Sequence, residues 1–165
     1  MIFFAIGAIL LLFVFLQKGN AVTQMTQDST NQNLCTITND PSTWPSGDRI
    51  WLICHATAYA EGADKFGSLP DRSNNPGDIS DYFDTYGGVV CGSHVTQFPT
   101  KAIGWQKLYE KWNNIISGNS SSYDPNSSWT TIAQTWAGDW KNWVTNLTNN
   151  LGVDPNSTPA DYMAS

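Results

Sequence analysis

Basic side chains are scarce in this chain: Arg49 and Arg72 are its only arginines, and lysine and arginine together number 8 in 165 residues. With a formal net charge of −6 there is no cluster of cations to neutralise phosphates, which excludes a nucleic-acid partner. Histidine and cysteine are equally sparse. His55, His94, Cys35, Cys54 and Cys91 match no zinc-ligand spacing, so neither a metal centre nor a cofactor is expected. Three cysteines leave one over after any pairing. In an oxidising space a Cys54–Cys91 or a Cys35–Cys54 disulfide is open, and Cys54 also reads as a small core residue. Cys54 and His55 do not make a nucleophile–base pair, because neighbours on a helix point about 100° apart. Cys91 and His94 lie in nothing that resembles a peptidase motif. Glutamate is the scarcest acid, with Glu61 and Glu110 its only two examples.

Aromatic residues are plentiful by contrast. Eight tryptophans and 13% aromatics exceed what the core of one domain of about a hundred residues needs. The surplus suits a groove in which ring faces stack on sugars. Residues 1–16 carry no charged side chain and as a helix would run about 24 Å. They predict an uncleaved membrane anchor over 1–19, with lipid as its partner. The alternative is a signal peptide cut after Gly19-Asn20-Ala21, although no Lys or Arg precedes the apolar run. Residues 20–47 are rich in Thr, Asn, Gln and Ser and read as a flexible polar tether. A domain over 48–155 and a C-terminal tail over 156–165 complete the expected organisation.

Within that domain the apolar residues follow helical spacing. Trp105, Leu108, Tyr109, Trp112, Ile115 and Ile116 mark one amphipathic helix closed by Gly118. Trp129, Ile132, Ala133 and Trp136 mark a second, with Thr130 as its expected cap. Trp140, Trp143, Val144, Leu147 and Leu151 mark a third, opened by Asp139 and stopped by Gly152. Glu110 lies off its helix's apolar stripe beside Lys107 and Lys111 and reads as a solvated surface charge. Between Tyr86 and Phe98, glycines interrupt Val89, Val90, Cys91 and Val95, predicting a short β-hairpin. The expected class is therefore mostly α with a small β element.

One more helix carries the chemistry. Behind Asp48 as N-cap, Ile50, Ile53, Cys54, Thr57 and Ala58 form a face on which Glu61 falls next, and Gly62 offers a stop. A carboxyl on the core side of a helix loses hydration. Its pKa rises, which suits a general acid working near neutral pH. Pro70, Asp71, Ser73, Asn74, Asn75, Pro76 and Gly77 then predict a loop of restricted and positive-φ positions.

Ala60-Glu61-Gly62, Leu69-Pro70-x-Arg72-x-Asn74-Asn75-Pro76-Gly77 and Phe98-x-Thr100-x-x-x-Gly104-Trp105-x-x-Leu108 resemble a small phage-type lytic transglycosylase of the lysozyme superfamily with its Asn-Asn-Pro-Gly-Asn signature. The likeness continues through Ser121-Ser122-Tyr123, Thr130-Thr131-Ile132-Ala133-Gln134-Thr135-Trp136-Ala137 and Leu151-Gly152-Val153, covering roughly residues 48–155. The signature's last Asn is Asp78 here. The resemblance implies an α+β lysozyme-like fold with a central glutamate helix, and cleavage of MurNAc–GlcNAc strands of peptidoglycan. Glu61 would protonate the leaving oxygen and then act as base on the C6 hydroxyl, closing a 1,6-anhydro ring. Asp78 as a second carboxylate would instead make a hydrolytic lysozyme by orienting water; its bland alternative is a loop Asx turn. A non-catalytic glycan-binding or structural virion protein on the same fold is the third reading. Asn74, Asn75, Gln97, Tyr123 and Trp136 are the candidate glycan contacts. The expected location is a membrane, with the domain outside the cytoplasm or in a virion, beside virion or envelope proteins; secretion is the alternative.

Overall fold

Asp48 starts the first helix. Its carboxylate accepts the backbone N–H groups of Ile50 (2.9 Å) and Trp51 (3.3 Å), satisfying donors that have no partner inside the helix. The computed structural model describes residues 47–86 and 95–165, and this helix, α1 (Arg49–Ala60), is followed by α2 (Leu69–Arg72), α3 (Phe83–Tyr86), α4 (Lys101–Ile116), α5 (Trp129–Trp136), α6 (Trp140–Leu151) and α7 (Pro159–Ala164). The expected anchor, all of the expected tether but its last residue, Cys35, Cys91, His94 and the tip of the expected hairpin lie outside the described residues.

Helix α1 is the centre of the molecule. Ile50, Ile53, Cys54, Thr57 and Ala58 are buried as the spacing predicts, and so are His55 and Ala56, because α4 and α6 pack against α1 on different sides. Helix α4 contributes Trp105, Leu108, Trp112 and Ile115 to the core; α5 contributes Trp129, Ile132 and Ala133, and α6 contributes Trp143, Val144 and Leu147. One buried polar link joins α1 to α4. Thr57 donates to the Ile53 carbonyl (2.8 Å) and accepts the indole N–H of Trp112 (2.9 Å). The His55 ring lies 4.7 Å from that of Trp105 and 6.3 Å from that of Trp51. Burial lowers its pKa to about 4 and pushes the Cys54 thiol up, so neither has the charge state a Cys–His nucleophile would need.

The mainly helical class expected from the sequence is what the described residues show, and no β-strand occurs among them. Val95–Phe98, the returning leg of the expected hairpin, has no regular secondary structure; Thr96 and Phe98 are instead bonded to the loop after α2. Two local differences concern caps. Ser128, not Thr130, caps α5 by accepting the N–H of Thr131 at 3.1 Å. Pro70 does not break helicity: it stands in the first turn of α2, where its missing N–H costs nothing. Residues 156–165, expected as a tail, end in α7. A reciprocal capping box between Thr158 and Asp161 starts this helix. It packs on the body through Ala160 N–H to Pro125 O (3.0 Å), the Tyr162 ring against Trp129 (6.3 Å) and Arg49 over Tyr162 (5.0 Å). Arg49 also donates to the Tyr162 carbonyl. Among the described residues no helix is long and apolar enough to cross a membrane.

Candidate active site

The loop between α2 and α3 is built around Asn75. This side chain is fully buried: its amide donates to Ile79 O (2.7 Å) and Thr96 O (2.9 Å), and its oxygen accepts Ile79 N–H (3.1 Å). Asn74, at φ 54°, donates to Phe98 O (2.9 Å), and Phe98 N–H returns to Ser73 O (2.9 Å). Helix α4 presses directly on the same loop. A Cβ on Gly104 would fall 1.8 Å from the Asn74 carbonyl oxygen, so only glycine allows this approach. These contacts hold Asp78 in a left-handed conformation (φ 51°), which Asp and Asn tolerate better than other non-glycine residues.

Asp78 and Glu61 then face one cavity of about 220 Å³, lined by Ala60, Trp136, Ala137, Gly138, Asp139, Asn142 and Trp143 as well. Glu61 is the C-cap of α1, and Gly62 turns the chain away at φ 73°. Trp143 donates its indole N–H to Glu61 Oε1 at 2.8 Å. Burial raises the Glu61 pKa from 4.5 to about 7, and the charge of Asp78 acts in the same direction; the indole N–H groups of Trp143 and Trp136 oppose both. Burial likewise raises Asp78 to about 6. Asp78 Oδ1 is buried with no hydrogen-bond partner in the protein. A buried acceptor without a donor disfavours the charged carboxylate, in keeping with the raised pKa of Asp78.

Aromatic rings form the wall. Trp136 is stacked between Trp112 (5.2 Å, 12°) and Trp143 (5.6 Å, 29°), and its N–H points at Gly77 O (3.3 Å). Tyr123 leans on Trp136 at 5.5 Å, with Lys111 Nζ 5.0 Å from each ring and paired with Asp81 at 2.6 Å. Burial, with Asp81 and Glu61 adding to it, pushes the Tyr123 hydroxyl up to about 12, so it stays a neutral donor.

Of the seven residues singled out from the sequence, Glu61, Asp78 and Trp136 meet in the cavity and Tyr123 stands against its Trp136 wall. The other three do not join them. Asn75 is no glycan contact, because its amide is enclosed and bonded inside the loop. Asn74 faces a separate small hollow with Pro70, Asp71 and Lys101, its amide committed to Phe98. Gln97 is exposed between buried Thr96 and Phe98 and does not line the cavity. Sequence reasoning missed Trp143, Asn142 and Asp139. Trp143 was legible as core, and the only further signal was that indole is a large apolar group that still carries a donor. Asn142 sits among the polar positions of α6, and Asp139 was legible only as the residue that opens this helix; neither gave a sign of facing the cavity. Glu110, the expected surface acid, is partly exposed and paired with Lys107 at 2.5 Å.

No group of three or more His, Cys, Asp or Glu among the described residues is arranged to hold a metal ion. The chain matches no known family model, and neither a curated protein nor a solved structure is similar to it.

Proposed function

We propose that this chain cuts the glycan backbone of peptidoglycan as a lytic transglycosylase, with Glu61 as general acid and then base. The observation that carries the reading is a single glutamic acid, protonated near neutral pH by burial, at a cavity walled by tryptophans. Glu61 gives its proton to the oxygen between MurNAc C1 and the GlcNAc leaving group. The C1–O bond breaks, its electron pair stays on that oxygen, and an oxocarbenium-like sugar remains. The Glu61 carboxylate then takes the proton of the sugar's own C6 hydroxyl, whose oxygen closes on C1. One carboxyl is enough for both steps. The faces of Trp136 are taken by Trp112 and Trp143, so the glycan meets the edge of this ring and the neighbouring Tyr123. The apolar segment 1–16 would hold the domain at a membrane next to the wall, with virion or envelope proteins as neighbours.

A hydrolytic reading is favoured by one observation, a second carboxyl, that of Asp78, lining the same cavity as Glu61. Mass spectrometry of muropeptides released by the full chain separates the routes. Anhydro ends are expected; reducing ends would move the proposal to hydrolysis, and an absence of products would leave a binding protein. Asp78→Asn should keep the loop, since asparagine accepts the same positive φ, and should keep activity with anhydro ends. A large loss, or a change from reducing to anhydro ends, would assign Asp78 to water.

A further inference from the structure

Glu61 has two oxygens, and the protein treats them differently. The indole N–H of Trp143 is a donor and nothing else, and it lies 2.8 Å from Oε1. An oxygen that accepts this bond cannot also carry the carboxyl proton toward Trp143. The ring has little freedom to move: Trp143 is 2% exposed, stacked on Trp136, and held by its backbone in the first turn of α6. Among the described residues the Trp136 indole is also close: its N–H makes a longer bond to Gly77 O (3.3 Å) and favours the Glu61 carboxylate less than that of Trp143 does.

We propose that Trp143 is a positioning residue that assigns the two oxygens of Glu61, keeping Oε1 as acceptor so that the transferable proton resides on Oε2. This rests on Glu61 being the acid of the proposed reaction, and it is the same whether the sugar hydroxyl or water attacks. The bond does more than orient. As the proton leaves, negative charge forms on the carboxyl, and an N–H donor to an ionised acceptor is about twice as strong as to a neutral one. Trp143 thus stabilises the departing state more than the resting one, which lowers the barrier without tightening substrate binding. The other groups that set the charge around Glu61 are Asp78 from the loop after α2, Asp139 at the start of α6, and Tyr123 with the Asp81–Lys111 pair at the far wall.

The test follows the indole N–H resonances of the full-length protein by NMR from pH 5 to 9. One of them, assigned to Trp143 by its loss in Trp143→Phe, should move downfield with a midpoint near 7 and stay flat in Glu61→Gln. On soluble glycan fragments, Trp143→Phe should lower kcat by about tenfold with little change in KM, since a hydrogen bond to a charged group is lost. The alkaline limb of its pH profile should move up, because a donor that favours the carboxylate is gone. Should Trp143→Phe fail to fold, Trp136→Phe removes the other indole that acts on Glu61, and a pH-dependent indole resonance that survives it and goes flat in Glu61→Gln is that of Trp143. A flat Trp143 resonance in an enzyme that Glu61→Gln inactivates would overturn the assignment alone. An active Glu61→Gln would overturn the glycan-cleaving reading together with it.

Discussion

A glutamic acid held near pKa 7 makes the stability of its fold depend on pH. Its carboxyl binds a proton in the folded state between its ordinary 4.5 and about 7, where the unfolded chain has released it. The stability this provides is complete below 4.5 and lost as pH rises through 7. Asp78, raised from 3.8 to about 6, has the same sign, whereas His55, lowered from 6.5 to about 4, has the opposite one: its stability is present above 6.5 and lost as pH falls. Replacing Glu61 by the uncharged glutamine isolates one member of this set. Glu61→Gln should abolish glycan cleavage and raise the melting temperature above pH 7, by an amount corresponding to at most about 3 kcal/mol, with the gain vanishing near pH 4.5. Thermal unfolding across that range measures it. A gain that is constant with pH would mean that ionisation of Glu61 is not the cause. Wild-type activity should fall above pH 7 as the acid loses its proton.

At the scale of the element, the loop from Ser73 to Ile79 works as a rigid bracket. Three hydrogen bonds of the Asn75 side chain tie Ile79 and Thr96 to it, Phe98 N–H holds the Ser73 end, and α4 closes over the loop through Gly104. Asn74 and Asn75 were read as glycan ligands because an amide serves a sugar and a peptide carbonyl equally well. The sequence carries no mark of which way the amide faces. The partners of Asn75 lie four and twenty-one residues away, and only the second distance reveals that the segment is folded back on itself. Asn75→Ala should therefore act as a structural lesion, costing on the order of 3 kcal/mol through buried carbonyls left unpaired. Activity should fall with it, since Gly77 O bonds Trp136 and Asp78 follows directly. An Asn75→Ala protein of unchanged stability that binds glycan less tightly would restore Asn75 to the groove.

Across the whole molecule, the helices that were legible are those with a periodic face, and three of the four also carried a marked end. Asp48 and Gly62 frame α1, Gly118 follows α4, and Gly152 stops α6. Glu61 could be found because it continued such a face, and Trp136 because it sat in one. Helix α7 has six residues and only Pro159 buried, too little for any period to show, and what holds it is remote in sequence: Arg49, Pro125 and Trp129. Its position has a functional consequence. Arg49 and Glu61 stand at opposite ends of α1, about 18 Å apart along the helix axis, so α7 braces the end of that helix away from the chemistry. Truncation after Ser157 should expose Trp129 and release Arg49, lowering stability by roughly 2–4 kcal/mol. At 20 °C, where most of the shortened chain remains folded, muropeptide release should stay within about twofold of wild type. If cleavage is instead lost while the melting temperature holds, α7 takes part in the site, and the separation of bracing from chemistry along α1 is wrong.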